Sequence, residues 1–276
     1  MDRIRLIASD MDATLLDEQS QLPADFEETI HALAELGIRF APASGRPLYT
    51  LEAMFPTLQD ELVFIGDNGG AIRWKGQNLF TSEMSPEGWR ALNRLTREQG
   101  DIAVLCGLES AYVERPFAVH DAVLRHFYTK IEYVDRLEDV TAPADKFTIY
   151  LPQHNAQQAY DTVYASQRSI YSVAVAGECW VDIMNPGVHK GAALQTLGQL
   201  WGLPSESIMA FGDTYNDAEM LQTVRYGFLM ENGSEPLRRK VPFLAPSHRE
   251  AGVMQVLHRV LAQNGCVCPE DFVPAH

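Results

Sequence analysis

Cysteine, basic residues and long apolar runs are all in short supply. The four cysteines, Cys106, Cys179, Cys266 and Cys268, lack the paired spacing of a zinc site. Reduced thiols in a cytoplasmic protein are the expectation. No stretch reaches the roughly 18 apolar residues that span a bilayer, so no membrane partner is expected. The N-terminus passes straight into a strand-like run without a signal-peptide pattern. Internal repeats and low-complexity segments are missing too. Lys and Arg number 22 against 37 Asp and Glu, a formal net charge of −15. That surplus would repel a phosphate backbone and argues against nucleic-acid binding. A phosphorylated small molecule would need a local positive pocket inside an acidic protein. Apolar residues are plentiful: 46% of the 276 residues are hydrophobic and 9% aromatic. That is enough for one large domain or two smaller ones.

Carboxylates fall in two places that matter. Asp10-Met11-Asp12-Ala13-Thr14 follows the apolar run Ile4-Arg5-Leu6-Ile7-Ala8. Strand periodicity puts Asp10 and Asp12 on one face, although a turn begins there. Two close anions repel unless a cation sits between them or one takes a proton. One could bind Mg2+ and act as a nucleophile, and the other could move protons. Short acidic turns are common, so this stretch decides little alone. Gly212-Asp213-Thr214-Tyr215-Asn216-Asp217 follows a second apolar run, Ser207 to Phe211. Asp213 and Asp217 would share a face of a helical first turn, where the dipole favours acids. A solvated cap is the simplest reading. A second carboxylate cluster at a strand end is also what a Mg2+ site between two strands requires.

Two further stretches have phosphate-binding chemistry. Ser44-Gly45-Arg46-Pro47 follows a third strand-like run, Ile38 to Ala41. A Ser hydroxyl and a Gly amide at a helix start can donate to an anion, although an ordinary Ser cap with an early Pro explains the same residues about as well. Gly187-Val188-His189-Lys190-Gly191 opens a helix running to about Trp201. Lys190 there opposes the helix dipole unless it faces an anion. Of the eight histidines only His189 lies beside a motif, and it reads as a loop residue. Trp74, Trp89, Trp180 and Trp201 read as core or domain-interface residues.

In this order and at these spacings, the four stretches resemble the haloacid dehalogenase superfamily of phosphotransferases, most closely its Cof-type sugar-phosphate phosphatases. Ile65-Gly66-Asp67-Asn68-Gly69-Gly70 is similar to the family's Asn-Gly turn. The resemblance implies a Mg2+-dependent phosphatase of small phosphorylated metabolites, most simply sugar phosphates. It makes Asp10 the nucleophile and Asp12 the acid and base. Mg2+ would be held by Asp10, the backbone carbonyl of Asp12 and Asp213, with Asp217 supporting directly or through water. Ser44, Lys190, Asn216 and backbone amides near Met11 and Gly45 would hold the phosphoryl group. Asn68 is an accessory candidate, and Arg46 either reaches phosphate or pairs with an acid. A phosphomutase, or a weakly catalytic protein that binds a phosphorylated ligand, stays open beside it. Ala13 stands where the family usually has Gly, which a tight turn tolerates poorly. Ser44 replaces the commoner Thr, and Glu231 and Asp67 stand at usually small positions.

Periodicity also predicts the architecture. Strand-like runs at 4–9, 38–41 and 62–65 alternate with helices at 23–36 and 47–54, followed by a hairpin over 71–81. Alternation resumes after Lys190 with helices at 189–201, 216–221, 234–240 and 250–262 and strands at 207–211, 224–229 and 242–244. That pattern predicts a parallel sheet covered by helices. Between them the pattern changes: helices at 86–99, 118–128 and 153–166, and strands at 102–106, 111–114, 131–134, 146–151, 171–175 and 179–184. Pro86 and Pro186 punctuate the junctions. The expectation is an α/β fold, a Rossmann-like core over 1–83 and 187–276 with an inserted α/β cap over 84–186.

Overall fold

The computed structural model describes residues 1–276. The chain opens with β1 (Asp2–Arg3), β2 (Leu6–Asp10), α1 (Phe26–Glu35), β3 (Arg39–Ala43), α2 (Leu48–Glu52), β4 (Val63–Gly66), β5 (Ala71–Trp74) and β6 (Gln77–Thr81). A second unit follows: α3 (Pro86–Gln99), β7 (Ile102–Gly107), β8 (Ala111–Glu114), α4 (Asp121–Phe127), β9 (Ile131–Val134), β10 (Ala144–Tyr150), α5 (Ala156–Asp161), β11 (Ser172–Val175) and β12 (Trp180–Met184). The first unit is completed by α6 (Lys190–Trp201), β13 (Ile208–Gly212), α7 (Ala218–Thr223), β14 (Tyr226–Met230), α8 (Glu235–Arg238), β15 (Phe243–Ala245), α9 (Gly252–Ala262), β16 (Cys266–Val267) and β17 (Val273–Pro274).

The larger sheet has the order β17-β15-β14-β13-β2-β3-β4-β5-β6. It is parallel from β15 through β4, with antiparallel strands added at both edges. Central strands are apolar at nearly every position because both faces are covered. In β2, Leu6 and Ala8 join one core cluster with Ala193, Leu194 and Leu197 of α6, while Ile7 joins the other with Leu257 and Val260 of α9. The inserted sheet has the order β11-β12-β10-β7-β8-β9, antiparallel except for β8 beside β9. One face packs Leu105, Phe147, Ile149 and Ile183 under Trp89 of α3 and Ala159 of α5. The other carries Val104, Tyr128, Tyr150 and Trp180. Asn185 ties the two connections together, its amide donating to the carbonyls of Ser82 (3.2 Å) and Glu83 (2.8 Å).

Several boundaries differ from periodicity, each for a local reason. The helix expected over 153–166 is α5 followed by a 3-10 turn, Ala165–Ser169. It breaks at Thr162, whose hydroxyl donates to the Gln158 carbonyl at 2.7 Å. The helix expected over 118–128 begins as a 3-10 turn, Arg115–His120. It ends before Tyr128, which is extended and packs its ring 6.3 Å from Trp180. The short strands β1, β16 and β17 have too few residues to show a period. All four cysteines are free. No helix is long and apolar enough to cross a membrane.

Candidate active site

The site forms where β2, β13 and the start of α6 converge. Asp10 is the last residue of β2, and the chain turns sharply through Met11–Leu15. Buried Met11, Thr14 and Leu15 anchor that turn. Ala13 takes the left-handed region at φ 55°, a conformation that costs a residue with a Cβ about 1 kcal/mol. Asn232 holds it there, donating to the Ala13 carbonyl at 2.8 Å. The parallel register of β13 beside β2 sets Ser9 opposite Phe211, which brings Asp213 next to Asp10. Gly212 must be glycine: a Cβ there would lie 2.4 Å from the Cβ of Asp217.

Lys190 is fully buried at the first turn of α6. Its ammonium donates to Asp10 Oδ1 at 2.5 Å and to Asp217 Oδ1 at 2.6 Å. The two carboxylates outweigh the opposed helix dipole. The other oxygen of Asp217 accepts the amides of Asp213 (3.0 Å) and Thr214 (3.2 Å). Asp217 is therefore fully occupied in orienting Lys190 and the 212–217 turn. Beside Lys190, His189 caps α6 through Nδ1, which accepts the Ala192 amide at 3.1 Å. A Cβ on Gly191 would meet the backbone of Glu219 at 2.7 Å, so α6 can seat against α7 only with glycine there.

The electrostatics are unbalanced. Carboxylate oxygens of Asp10, Asp213 and Asp217 all lie within 4.8 Å of one another against the charge of one lysine. Burial and then the charge of Asp217 push Asp10 up to about 8 and Asp213 up to about 6. Burial lowers Lys190, but Asp10 and Asp217 more than reverse it, and the ammonium is held above its ordinary range. Lys190 thus stays charged, and the surplus negative charge calls for a proton or a further cation. The donors are all hard oxygens, the set that suits Mg2+.

A cleft of ≈ 560 Å³ lies above these groups, between the two units. Asp10, Asp12, Ser44, Gly45, Arg46, Asn68, Asp213 and Asn216 line its floor. Asp12 is largely exposed there and paired with Arg46, whose two terminal nitrogens donate to its oxygens at 2.7 and 3.0 Å. Of the two readings open for Arg46, this structure shows the acid pair. The Ser44 hydroxyl accepts the Arg46 amide at 3.2 Å. Asn216 sits at the exposed edge, accepting from the Thr214 hydroxyl at 2.6 Å. The roof includes Phe127, Tyr128 and Trp180, together with Lys146, Thr148 and Asp182. Trp180 is thus both a packed residue of the inserted unit and part of the cleft wall.

Lys146, Asp182 and Asn232 do not stand out in the sequence. The signal for the first two was the break in polarity: Asp145-Lys146 and Asp182 interrupt strands that are otherwise apolar. Asn232 carried none, because its role depends on reaching Ala13 from more than 200 residues away.

The family model for haloacid dehalogenase-like hydrolases matches residues 7–257. A 5-amino-6-(5-phospho-D-ribitylamino)uracil phosphatase of Escherichia coli is 31% identical over 262 residues, covering 94% of this chain and 96% of that relative. An HMP-PP phosphatase of Cronobacter sakazakii is 31% identical over 249 residues, 87% and 89% of the two chains. The solved structure of a Streptococcus mutans protein superposes with a TM-score of 0.84 at 28% identity, covering 94% of this chain and 99% of that one. The chain belongs to the haloacid dehalogenase-like hydrolases, in the Cof-type group, and is a phosphoric monoester hydrolase.

Proposed function

We propose that this phosphatase is Mg2+-dependent and hydrolyses small phosphorylated metabolites, sugar phosphates foremost, through an aspartyl-phosphate on Asp10. The observation that carries the reading is the convergence of Asp10, Asp213 and Asp217 on buried Lys190 beneath a cleft lined by Ser44, Gly45 and Asn216. Asp10, the Asp12 carbonyl and Asp213 would hold Mg2+, with Asp217 orienting the set. A bound Mg2+ neutralises charge on the transferring phosphoryl group. A carboxylate oxygen of Asp10 attacks phosphorus, and the bond to the leaving oxygen breaks as Asp12 delivers a proton to it. Asp12 then removes a proton from water, whose oxygen attacks phosphorus and breaks the bond to Asp10. Arg46 occupies both oxygens of Asp12. Asp12 must therefore leave that pair to reach a leaving oxygen. Lys190, Ser44, Asn216 and the amides near Met11 and Gly45 position the phosphoryl oxygens.

The inserted unit, over about 84–186, supplies contacts to the leaving group and excludes water. A second reading of the substrate has a specific observation behind it. The cleft roof is aromatic, with the rings of Phe127 and Tyr128 5.0 and 6.3 Å from Trp180. That wall suits a leaving group with a planar ring, and the Escherichia coli relative is named for a uracil-bearing ribityl phosphate. A panel of sugar phosphates and phosphorylated pyrimidine derivatives, assayed by phosphate release with and without chelator, tests both readings. Turnover undiminished by chelation sinks the metal role. Transfer of phosphate to a second position on the sugar, with none released, identifies a mutase.

A further inference from the structure

A second buried lysine lies where the two units meet. Lys146 of β10 is 2% exposed, and its ammonium has three acceptors. It donates to the Gly45 carbonyl at 2.6 Å and lies 3.0 Å from Asp67 and 3.4 Å from Asp182. Gly45 and Asp67 belong to the first unit, and Asp182 to β12 of the inserted one. Asp182 also accepts the Thr148 hydroxyl at 2.6 Å and the Asn68 amide at 3.3 Å.

The contact at Gly45 completes a pattern. Three consecutive carbonyls of the phosphate-side loop each have a donor. Ser44 is held by the Asn68 amide at 2.9 Å, Arg46 by the Asp67 amide at 2.9 Å, and Gly45 between them by Lys146. The two flanking donors sit on a turn in which Asp67 and Asn68 both take positive φ, 50° and 54°. Such strain persists only where surroundings enforce it. Only the central donor comes from the inserted unit. Its bond orients the Gly45–Arg46 peptide, whose amide points to the Ser44 hydroxyl.

We propose that Lys146 is a positioning residue that docks the inserted unit onto the Ser44–Arg46 loop, so that closing the cleft and setting the loop's peptide planes are one event. A buried ion pair suits this task because its attraction nearly balances the desolvation of its members. Opening returns both to water at little net cost, whereas an apolar contact would hold the units shut. Its part in turnover rests on the phosphatase reading above; its part in docking does not.

The test is hydrogen exchange of the peptide spanning residues 44–52, beside kcat/KM for p-nitrophenyl phosphate and for the best metabolite, in Lys146→Met. Losing a hydrogen bond to a charged donor predicts exchange about 10- to 100-fold faster in that peptide, while β7 and β8 stay protected. Both substrates should lose kcat/KM by a similar factor, because the loop serves every phosphoryl group. Unchanged exchange overturns the proposal. A loss confined to the metabolite also overturns it, since Lys146 would then be a leaving-group contact. If Lys146→Met does not fold, Asp67→Asn removes the anchoring charge from the core side and keeps a residue that tolerates positive φ. It should accelerate exchange by a smaller factor, and unaltered exchange there again overturns the proposal. Wild-type protein inactive on every ester sinks the phosphatase reading, while the exchange data still decide the docking.

Discussion

Two buried lysines each sit among several aspartates, and their surroundings differ. Lys190 faces Asp10, Asp213 and Asp217 at strand ends under an open cleft. Lys146 faces Asp67 and Asp182 where the two units meet, at the roof of the same cleft, with Asp145 beside Asp67. Asp145 is fully buried, and neither of its oxygens has a donor. A bare carboxylate in that position would be very costly. Burial and then the charge of Asp67 push Asp145 well above the usual carboxylate range. Around Lys190, by contrast, the carboxylate oxygens of Asp10, Asp213 and Asp217 lie within 4.8 Å of one another, close enough to share a metal ion. The partners separate the two lysines: Lys190 has carboxylates alone, whereas Lys146 also holds the Gly45 backbone carbonyl across the two units.

The largest effect expected from breaking the first cluster is on turnover. Asp10→Asn should lower kcat by roughly 10³-fold or more, since a near-isosteric amide cannot form the aspartyl-phosphate. Circular dichroism should be unchanged, and turnover at the wild-type rate would remove Asp10 from the nucleophile role.

Lys190→Met should cost stability as well as activity. It leaves Asp10 and Asp217 buried without their cation, a loss on the order of 3–5 kcal/mol. Urea denaturation should show the change in the metal-free protein, and added Mg2+ should recover part of it. A shift under 1 kcal/mol would mean that the carboxylates find protons as easily as they find Lys190.

A smaller effect follows from pH. Asp213 is raised from 3.8 to about 6 in the folded protein. The native state therefore binds more protons than the unfolded one between those values, and this group's contribution to stability falls as pH rises through that window. Asp213→Asn removes the penalty. Without metal, the variant should gain on wild type from pH 4 to pH 6 and hold that gain above. Mg2+ should stabilise wild type at pH 7 and leave the variant nearly unmoved. Parallel melting-temperature curves across pH would show that Asp213 carries no penalty. The same sign applies to Asp145→Asn, because burial raises Asp145 too, but without the response to Mg2+.

The smallest effect concerns Ala13. Its φ of 55° is a glycine-type conformation, so Ala13→Gly should be neutral or raise the rate, with relief of up to about 1 kcal/mol. A strong loss of activity would show that the methyl group serves the turn, for example by limiting it to the shape that Asn232 holds.

Legibility followed distance along the chain. Asp10, Asp12, Ser44, Asp213 and Asp217 stand out in the sequence because each lies in a short motif after an apolar run, and Lys190 because it opens a helix against the dipole. Helix boundaries were less so: α5 stops early because Thr162 bonds back to Gln158, and Tyr128 leaves α4 to reach Trp180. Arg46 was evenly divided between two partners until Asp12 was seen beside it. Lys146 lies in no motif, and its meaning depends on a carbonyl 101 positions away.

The amino-acid sequence by itself determined the fold class and the chemistry of the motifs, because apolar periodicity and short motifs are local properties. Tertiary structure alone decided which charges share a site. The register of β13 on β2 sets Asp213 against Asp10, and the seating of α6 on α7 through Gly191 delivers Lys190 to both. It also set Lys190 against Asp10 and Asp217, and Lys146 against Gly45 and Asp67 across the two units. Electrostatic energy depends on separation and on access to water, and the linear order of residues specifies neither until the sheets have formed.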